Sequence, residues 1–246
     1  MLITIAPDRE GLGRAAAQKI AVLLRQALAG QEQANLLLST GMSQFETLDA
    51  LAGHNVDWSR VNLFHLDEYV GLPASHIASF RGYLRQRFAG ALPAPLKGFN
   101  EVNGEAPDLA AECRRLKALL DEAPIDVACV GIGENGHLAF NDPPADFETQ
   151  EAYIVVTLDE ACRRQQVGEG WFASLDDVPK QALSMTISRI LKSRRIVCTV
   201  PDARKADAVK GAVQGPVSNL CPASVLQRHP DCTLFLDAAS ASGLSA

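Results

Sequence analysis

The chain has 246 residues, a net charge of −6 and an apolar fraction of 47%, which fit one globular domain spanning residues 1–246. Because no cluster of Lys and Arg forms a basic stripe, we expect no nucleic-acid partner. Because no apolar run reaches the length of a membrane span or a signal peptide, we expect no membrane partner and predict a cytoplasmic protein.

Apolar segments of strand length alternate with longer segments of helical periodicity along the chain. The predicted strands are Leu2–Ile5, Asn35–Leu38, Val61–Leu66, Ile125–Val130, Ile154–Thr157, Arg195–Val200 and Thr233–Leu236. The predicted helices are Gly11–Ala29, the segment after Ser43 through about Leu51, Leu109–Leu120, the segment after Asp159, and Ala203–Val213. This alternation predicts an α/β fold with a doubly wound, mostly parallel, Rossmann-like sheet that has helices on both faces.

Two long segments interrupt the alternation, residues 70–108 and residues 141–180. Both carry Pro, Gly and polar residues and have weak periodicity. The sequence contains no internal repeat and no linker long enough to divide it. We therefore interpret both segments as insertions or lids on a single domain.

The first candidate site follows the second predicted strand. Ligands of open α/β sheets bind beyond the carboxyl ends of the strands, and Ser39, Thr40, Gly41 and Ser43 occupy this place. Hydroxyl groups, backbone N–H groups and a helix N-terminus together bind anions. The segment lacks the lysine and the spacing of a Walker loop, which disfavours nucleoside triphosphate hydrolysis. An ordinary N-cap turn explains this segment equally well.

The second candidate site is the acidic pair at the end of the third predicted strand, Asp67 and Glu68. Neighbouring side chains of a strand point in opposite directions, so only one of the two carboxylates is expected to face a ligand pocket. A solvated turn or the start of a helix is the alternative interpretation of such a pair.

The third candidate site is the segment GIGENGHLAFNDPP, residues 131–144, which follows the strand Ile125–Val130. Its three glycines permit close approach of the backbone to a ligand. His137 has Glu134 before it and Asp142 after it, and a carboxylate near an imidazole orients the ring for acid–base catalysis. A histidine that caps a glycine-rich loop is the alternative.

The fourth candidate is Lys205, in the first turn of the helix that follows the strand Arg195–Val200. A lysine there is unfavourable for the helix dipole, so either a bound phosphate or simple solvent exposure would account for it. The four candidates supply an anion cradle, a cation, a carboxylate and an imidazole, each just beyond a strand. Together they predict a site for a sugar phosphate.

The six cysteines are scattered and form no CxxC pair, and the histidines show no metal-ligand spacing. We therefore expect reduced, mostly buried thiols and no metal site. Reduced thiols are typical of cytosolic proteins.

Several segments resemble motifs of one known family. They are LDEYVGLP at Leu66–Pro73, GIGENGHLAFN at Gly131–Asn141, VPKQAL at Val178–Leu183 and LQRHP at Leu226–Pro230. Over nearly its whole length the chain resembles the glucosamine-6-phosphate deaminases, within the wider group that includes the 6-phosphogluconolactonases. The lactonase branch usually has DER where this chain has DEY, and GHTAS where it has GHLAF. The resemblance therefore favours the deaminase branch.

The resemblance implies a reaction and a set of site residues. The substrate would be glucosamine 6-phosphate, or an epimer such as galactosamine 6-phosphate, and the products a ketohexose 6-phosphate and ammonia. His137 would assist ring opening, Asp67 would transfer a proton between C2 and C1, and the Gly136 N–H would hold an oxyanion. The phosphate would be held by Ser39, Thr40, Gly41, Ser43 and Lys205. The scheme uses no metal and no organic cofactor.

The chain departs from the family pattern beside the histidine. Asn135 stands where the family commonly has Asp, and Asp142 stands where it has Glu. One of the two usual carboxylates is thus replaced by a neutral amide. We hypothesise that Asp142 alone orients His137, with Glu134 as a less favoured helper.

A further departure lies after Asp159, where the family often places an arginine that binds phosphate. Arg163, Arg164 and the pair Gln165-Gln166 compete for that place in this sequence.

The alternative functions are a 6-phosphogluconolactonase and a non-catalytic sugar-phosphate-binding protein. The oligomeric state is open between a monomer and a homo-oligomer.

Overall fold

The computed structural model describes residues 1–245. The strands of this part are β1 (Leu2–Ala6), β2 (Ala34–Leu38), β3 (Val61–His65), β4 (Asp67–Tyr69), β5 (Gly98–Asn100), β6 (Val127–Val130), β7 (Tyr153–Thr157), β8 (Gln181–Met185), β9 (Ile196–Val200) and β10 (Cys232–Asp237). The α-helices are α1 (Arg9–Gly30), α2 (Phe45–Ala52), α3 (Phe80–Tyr83), α4 (Leu109–Glu122), α5 (Glu160–Gly168), α6 (Ile187–Ile190) and α7 (Ala206–Gln214).

Seven strands form a parallel sheet in the order β1-β10-β9-β6-β2-β3-β5. The chain builds outwards from β2 to β3 and β5, and then returns to the other side of β2 through β6, β9 and β10. The strand order therefore reverses between β2 and β6. In such sheets the crevice beyond the carboxyl ends at this reversal is the usual ligand site.

The two faces of the sheet are covered by different helices, because side chains alternate along each strand. Leu36 and Leu38 of β2 pack into one buried cluster with residues of α1 and α2. Leu37 points the other way, into a second cluster with residues of α4 and α7. This arrangement confirms the predicted doubly wound sheet with helices on both faces.

A second, antiparallel sheet of three strands has the order β4-β8-β7. Leu66 joins the two sheets, because its N–H donates to the Leu38 carbonyl at 3.2 Å while its own carbonyl accepts from the Met185 N–H at 2.7 Å. Asp67 is the next residue and the first of β4. The carboxylate predicted as a base thus lies at the junction between the sheets.

All seven predicted strands and all five predicted helices are present, with ends shifted by a few residues. Helix α1 begins at Arg9, two residues before the predicted start, and the Asp8 carboxylate caps it by accepting from the Gly11 N–H at 2.7 Å. The sequence pattern does not predict the short elements α3, α6, β5 and β8, nor the separate sheet that contains β7.

Within residues 1–245, no helix is long and apolar enough to cross a membrane.

Candidate active site

A pocket opens at the carboxyl edge of the parallel sheet, where the strand order reverses. Its walls come from the segments after β2, β3, β6 and β9, and from the end of α5. The predicted residues that line it are Ser39, Thr40, Gly41, Ser43, Asp67, His137 and Lys205. Candidates that are far apart in the sequence therefore meet in one cavity.

The loop after β2 has the geometry of an anion cradle. Gly41 has a φ of 103°, a left-handed conformation that side chains disfavour, and it turns the chain into the short helical turn Met42–Gln44 ahead of α2. The buried Gln44 amide donates to the Ser43 hydroxyl at 3.0 Å and accepts from the Thr199 hydroxyl at 2.6 Å. Ser43 therefore keeps its own hydroxyl hydrogen for a ligand.

Two cations face this loop from the segment after β9. Lys205 is only 7% exposed, and its Nζ atom lies 4.0 Å from the Glu134 carboxylate. Burial lowers the pKa of Lys205, and the carboxylates of Glu134 and Glu169 offset only part of that effect. Arg204 is exposed and lies 3.4 Å from Glu134. A buried ammonium group with so distant a partner is suited to an anionic ligand.

Asp67 is buried at the wall of the pocket. Burial, and in second place the negative charge of Glu68, raise the pKa of Asp67 from 3.8 to about 8. A carboxyl group with a pKa near neutrality can exchange protons with a substrate at physiological pH.

Glu68 has a structural role instead. Its fully buried carboxylate accepts from the Ser79 hydroxyl at 2.8 Å and from the Arg81 N–H at 3.0 Å, at the start of α3. The Arg81 guanidinium lies 3.7 Å away. Of the acidic pair, one carboxylate faces the pocket and the other stabilises the loop behind it, as the strand periodicity predicts.

The imidazole of His137 is held by one carboxylate. Nδ1 of His137 lies 2.9 Å from Oδ1 of Asp142, and the Asn135 amide donates to the same oxygen at 2.9 Å. Burial alone would raise the pKa of Asp142, but the hydrogen bonds from His137 and Asn135 and the His137 charge lower it overall. Asn135 and Asp142 do not line the pocket, so they act on the ring from behind.

Two glycines of the loop have distinct geometric roles. A Cβ on Gly133 would lie 2.3 Å from Nε2 of His137, so only glycine leaves room for the ring. The N–H of Gly136 donates to the Gly133 carbonyl at 3.0 Å, and Gly136 is absent from the pocket wall. The oxyanion role predicted for the Gly136 N–H therefore has no support in this geometry, because a turn already uses that donor.

The segment after Asp159 turns its arginines away from the pocket. Arg163 donates to the Val178 carbonyl at 3.2 Å, and Arg164 pairs with Glu160 on the surface. Gln165 and Gln166 line the pocket instead.

Other pocket residues were not singled out by their sequence pattern, namely Arg9, Arg204, Glu169 and Trp171. Glu169 accepts from the Gln165 amide at 2.8 Å and from the Trp171 indole at 3.1 Å. The adjacency of Arg204 to Lys205 is a signal that could have identified it. Trp171 and Glu169 are positioned by the fold of the α5 segment, which no local pattern encodes.

Side chains that could bind a metal ion do not cluster in the described part of the chain. Across residues 1–245, no group of three or more His, Cys, Asp or Glu side chains is arranged to hold a metal ion. Four of the six cysteines are buried, as the sequence predicts.

The fold, with this pocket at its switch point, is that of the doubly wound α/β proteins that bind a small ligand beyond the carboxyl ends of the strands. A model of the family described as glucosamine-6-phosphate isomerases/6-phosphogluconolactonase matches residues 7–235, and the chain belongs to that family.

Curated relatives share about two fifths of the sequence. A glucosamine-6-phosphate deaminase of Streptococcus agalactiae serotype III (strain NEM316) is 37% identical over 245 residues, covering 99% of each chain. A glucosamine-6-phosphate deaminase of Streptococcus equi subsp. zooepidemicus (strain MGCS10565) is 39% identical over 222 residues, covering 90% of this chain and 92% of the relative.

Solved structures have the same fold. A monomeric glucosamine-6-phosphate deaminase of the NagB superfamily is 34% identical with a TM-score of 0.91, covering 99% of this chain and 100% of that one. A 6-phosphogluconolactonase of Trypanosoma brucei has a TM-score of 0.80 at 17% identity, covering 99% and 98% of the two chains. This second likeness concerns the fold alone.

Proposed function

We propose that the protein deaminates and isomerises glucosamine 6-phosphate, or its C4 epimer, giving a ketohexose 6-phosphate and ammonia. The observation that supports this reaction best is one pocket that presents the Asp67 carboxyl, the His137 imidazole and the Lys205 ammonium together. Its deaminase relatives at 37–39% identity support the same reaction.

Phosphate binding begins the sequence of steps. The dianion would lie in the cradle formed by Ser39, Thr40, Gly41 and Ser43, close to the Lys205 ammonium. The Ser43 hydroxyl supports this role because Gln44 already donates to its oxygen, so the hydroxyl hydrogen can be donated to a ligand. Fixing the phosphate orients the sugar before any bond changes.

His137 would act as the general acid and base in ring opening. Protonated His137 would give a proton to the ring oxygen and then take up the proton of the C1 hydroxyl, so that the pyranose becomes the open aldose and the imidazolium is restored. The contact of Nδ1 with Asp142 supports this role, because it leaves Nε2 as the ring nitrogen available to the sugar. Asn135 would contribute by fixing Asp142 rather than by touching the substrate.

Proton transfer and loss of the amine would follow. Ionised Asp67 would remove the proton from C2 while the His137 imidazolium gives a proton to O1, so that the C1 carbonyl becomes an enol. Return of the first proton from Asp67 to C1 would produce an iminium at C2, and its loss of a proton to the His137 imidazole would leave the imine. Water then adds to C2, ammonia leaves, and the ketose remains. The substrate and one water supply all the atoms, so these steps need no oxidant and no reductant.

The remaining assignments concern the whole chain. We propose that residues 1–246 form one domain, which predicts a single cooperative thermal transition. The relative described as monomeric supports a monomer for this chain, to be measured by light scattering. The six free cysteines support a cytoplasmic location.

The deciding experiment measures ammonia and fructose 6-phosphate from glucosamine 6-phosphate. Galactosamine 6-phosphate and 6-phosphogluconolactone run in parallel, with Asp67→Asn as the matched variant. Ammonia release that disappears in Asp67→Asn supports the proposal and identifies the epimer. Lactone hydrolysis without ammonia would move the protein to the lactonase reaction, and tight binding without turnover would leave a binding protein.

A further inference from the structure

His65 lies behind Asp67, outside the pocket and shielded completely from solvent. Its Nδ1 atom is 2.9 Å from the backbone oxygen of Asp67. Its Nε2 atom is 2.8 Å from the backbone nitrogen of Val102. The ring therefore bridges the segment that carries the carboxyl group to a loop that follows the sheet edge strand β5.

The two contacts fix the tautomer of this imidazole. A backbone N–H can only donate, so Nε2 of His65 accepts from Val102, and Nδ1 carries the ring hydrogen that is donated to the Asp67 carbonyl. Burial, and to a lesser degree the positive charge of Arg81, lower the pKa of His65 to about 3, although the hydrogen bond to Asp67 acts in the opposite direction. The ring thus remains neutral and does not exchange protons.

The carbonyl that His65 holds belongs to the junction between the two sheets. Leu66 is bonded to β2 through its N–H, and its carbonyl accepts from the end of β8. The Tyr153 hydroxyl of β7 donates to the His65 carbonyl at 2.6 Å. The hydrogen bond from Nδ1 is made to the peptide that follows Cα of Asp67, the atom from which the Asp67 side chain extends.

We propose that His65 is a positioning residue, which directs the Asp67 carboxyl at the substrate through its hydrogen bond to the Asp67 carbonyl. This inference rests on the proposed function only in taking Asp67 as the base. It assigns His65 no contact with substrate and no proton transfer. A displacement of about 1 Å at a reacting group can lower a rate about 10²-fold, which is ample for a detectable effect.

Two variants of His65 separate positioning from packing. His65→Phe keeps a ring of similar size but has no donor, whereas His65→Asn loses volume but keeps an N–H bonded to Cγ, as Nδ1 is. We expect His65→Phe to lower kcat about 10²-fold with KM changed less than about threefold, because the phosphate cradle is untouched. We expect His65→Asn to retain kcat within about tenfold of the unsubstituted protein.

His229 offers a matched control. It is also a buried histidine that bridges two backbone groups, with Nε2 2.8 Å from the Ser193 oxygen and Nδ1 3.2 Å from the Asp231 nitrogen, but it lies outside the pocket. His229→Phe and His229→Asn should lower the thermal midpoint and leave kcat of the folded protein unchanged. These variants measure what a purely structural histidine does in this fold.

The experiment compares kcat and KM for ammonia release with thermal midpoints for all four variants. A His65→Phe enzyme with unchanged kcat, or a His65→Asn enzyme as slow as His65→Phe, overturns the inference. If the phenylalanine variant does not fold, His65→Ala against His65→Asn decides, because both remove volume and only asparagine keeps the donor. Absence of ammonia from the unsubstituted protein refutes the proposed function instead, and the inference with it.

Discussion

Asn135 contacts Asp142, and it does so at the same carboxylate oxygen that meets the His137 ring. The two distances to that oxygen are equal at 2.9 Å, and the side-chain Oδ1 of Asn135 also accepts from the backbone N–H of His137 at 3.1 Å. The amide therefore ties together the carboxylate and the backbone of the loop without touching the imidazole. A neutral residue can serve this purpose because the carboxylate supplies the charge.

The first prediction concerns this arrangement. Asp142→Asn should lower kcat about 10²-fold or more, because the imidazolium form of His137 loses the negative charge of the carboxylate that contacts its ring. Asn135→Ala should lower kcat less than about tenfold, because Asp142 remains in place. Steady-state ammonia release from the two variants checks both values. A much larger loss in Asn135→Ala would show that Asp142 is not the orienting group.

The second prediction is a pH dependence. Asp67 acts as a base only when ionised, and its pKa in the empty pocket is raised to about 8 by burial and by Glu68. The ratio kcat/KM reports the free enzyme, so it should rise about tenfold per pH unit from about pH 6 and level off near pH 8.

Glu68→Gln is the check on this pH dependence. Removing the negative charge beside Asp67 should move the rising limb to lower pH, provided the variant folds. A kcat/KM that is flat between about pH 6 and about pH 8 would remove Asp67 as the titrating base.

The third prediction tests the buried ammonium. Lys205→Met should raise KM about tenfold to a hundredfold, since a hydrogen bond to a charged group contributes about 1.5–3 kcal/mol. Inorganic phosphate should lose its competitive inhibition in parallel. Lys210 lies exposed on α7, so Lys210→Met is the matched control and should leave both quantities unchanged. Equal effects of the two substitutions would place the phosphate elsewhere.

The fourth prediction concerns the space beneath the imidazole. Gly133→Ala would place a methyl group 2.3 Å from Nε2 of His137, so the ring must move, and kcat should fall about 10²-fold. Gly30→Ala is the control, because nothing lies within 4 Å of its added Cβ. A crystal structure of Gly133→Ala with the ring undisplaced would contradict the steric argument.

The strand-end rule predicts most of the pocket because it depends only on local pattern and parallel topology. Ser43, His137 and Lys205 each follow a strand that the apolar periodicity identifies, and the parallel sheet brings them to one edge. The periodicity also predicts that Asp67 and Glu68 diverge. Which of the two faces the pocket depends on pairing with β8, a strand without a clear pattern of its own.

The remaining residues depend on tertiary structure. Arg163 turns away because the loop that ends at Val178 presents carbonyl groups to it, and this loop geometry has no signature in the sequence. Trp171 enters the pocket wall through a contact with Phe45, whose rings meet edge to face 6.4 Å apart between centroids. Such contacts between distant segments are not encoded in any local pattern.

The two sheets carry different parts of the proposed site, so the separation of these parts would select substrates by the length of their carbon chain. The phosphate cradle follows a strand of the seven-stranded sheet, and Asp67 opens the first strand of the other. In the proposed reaction, a sugar anchored by its phosphate would present C2 to Asp67 only when its carbon chain spans the distance from the cradle to that carboxyl. On this proposal, a homologous substrate one carbon shorter or longer would bind by the same phosphate and would place the wrong carbon beside Asp67 for proton removal.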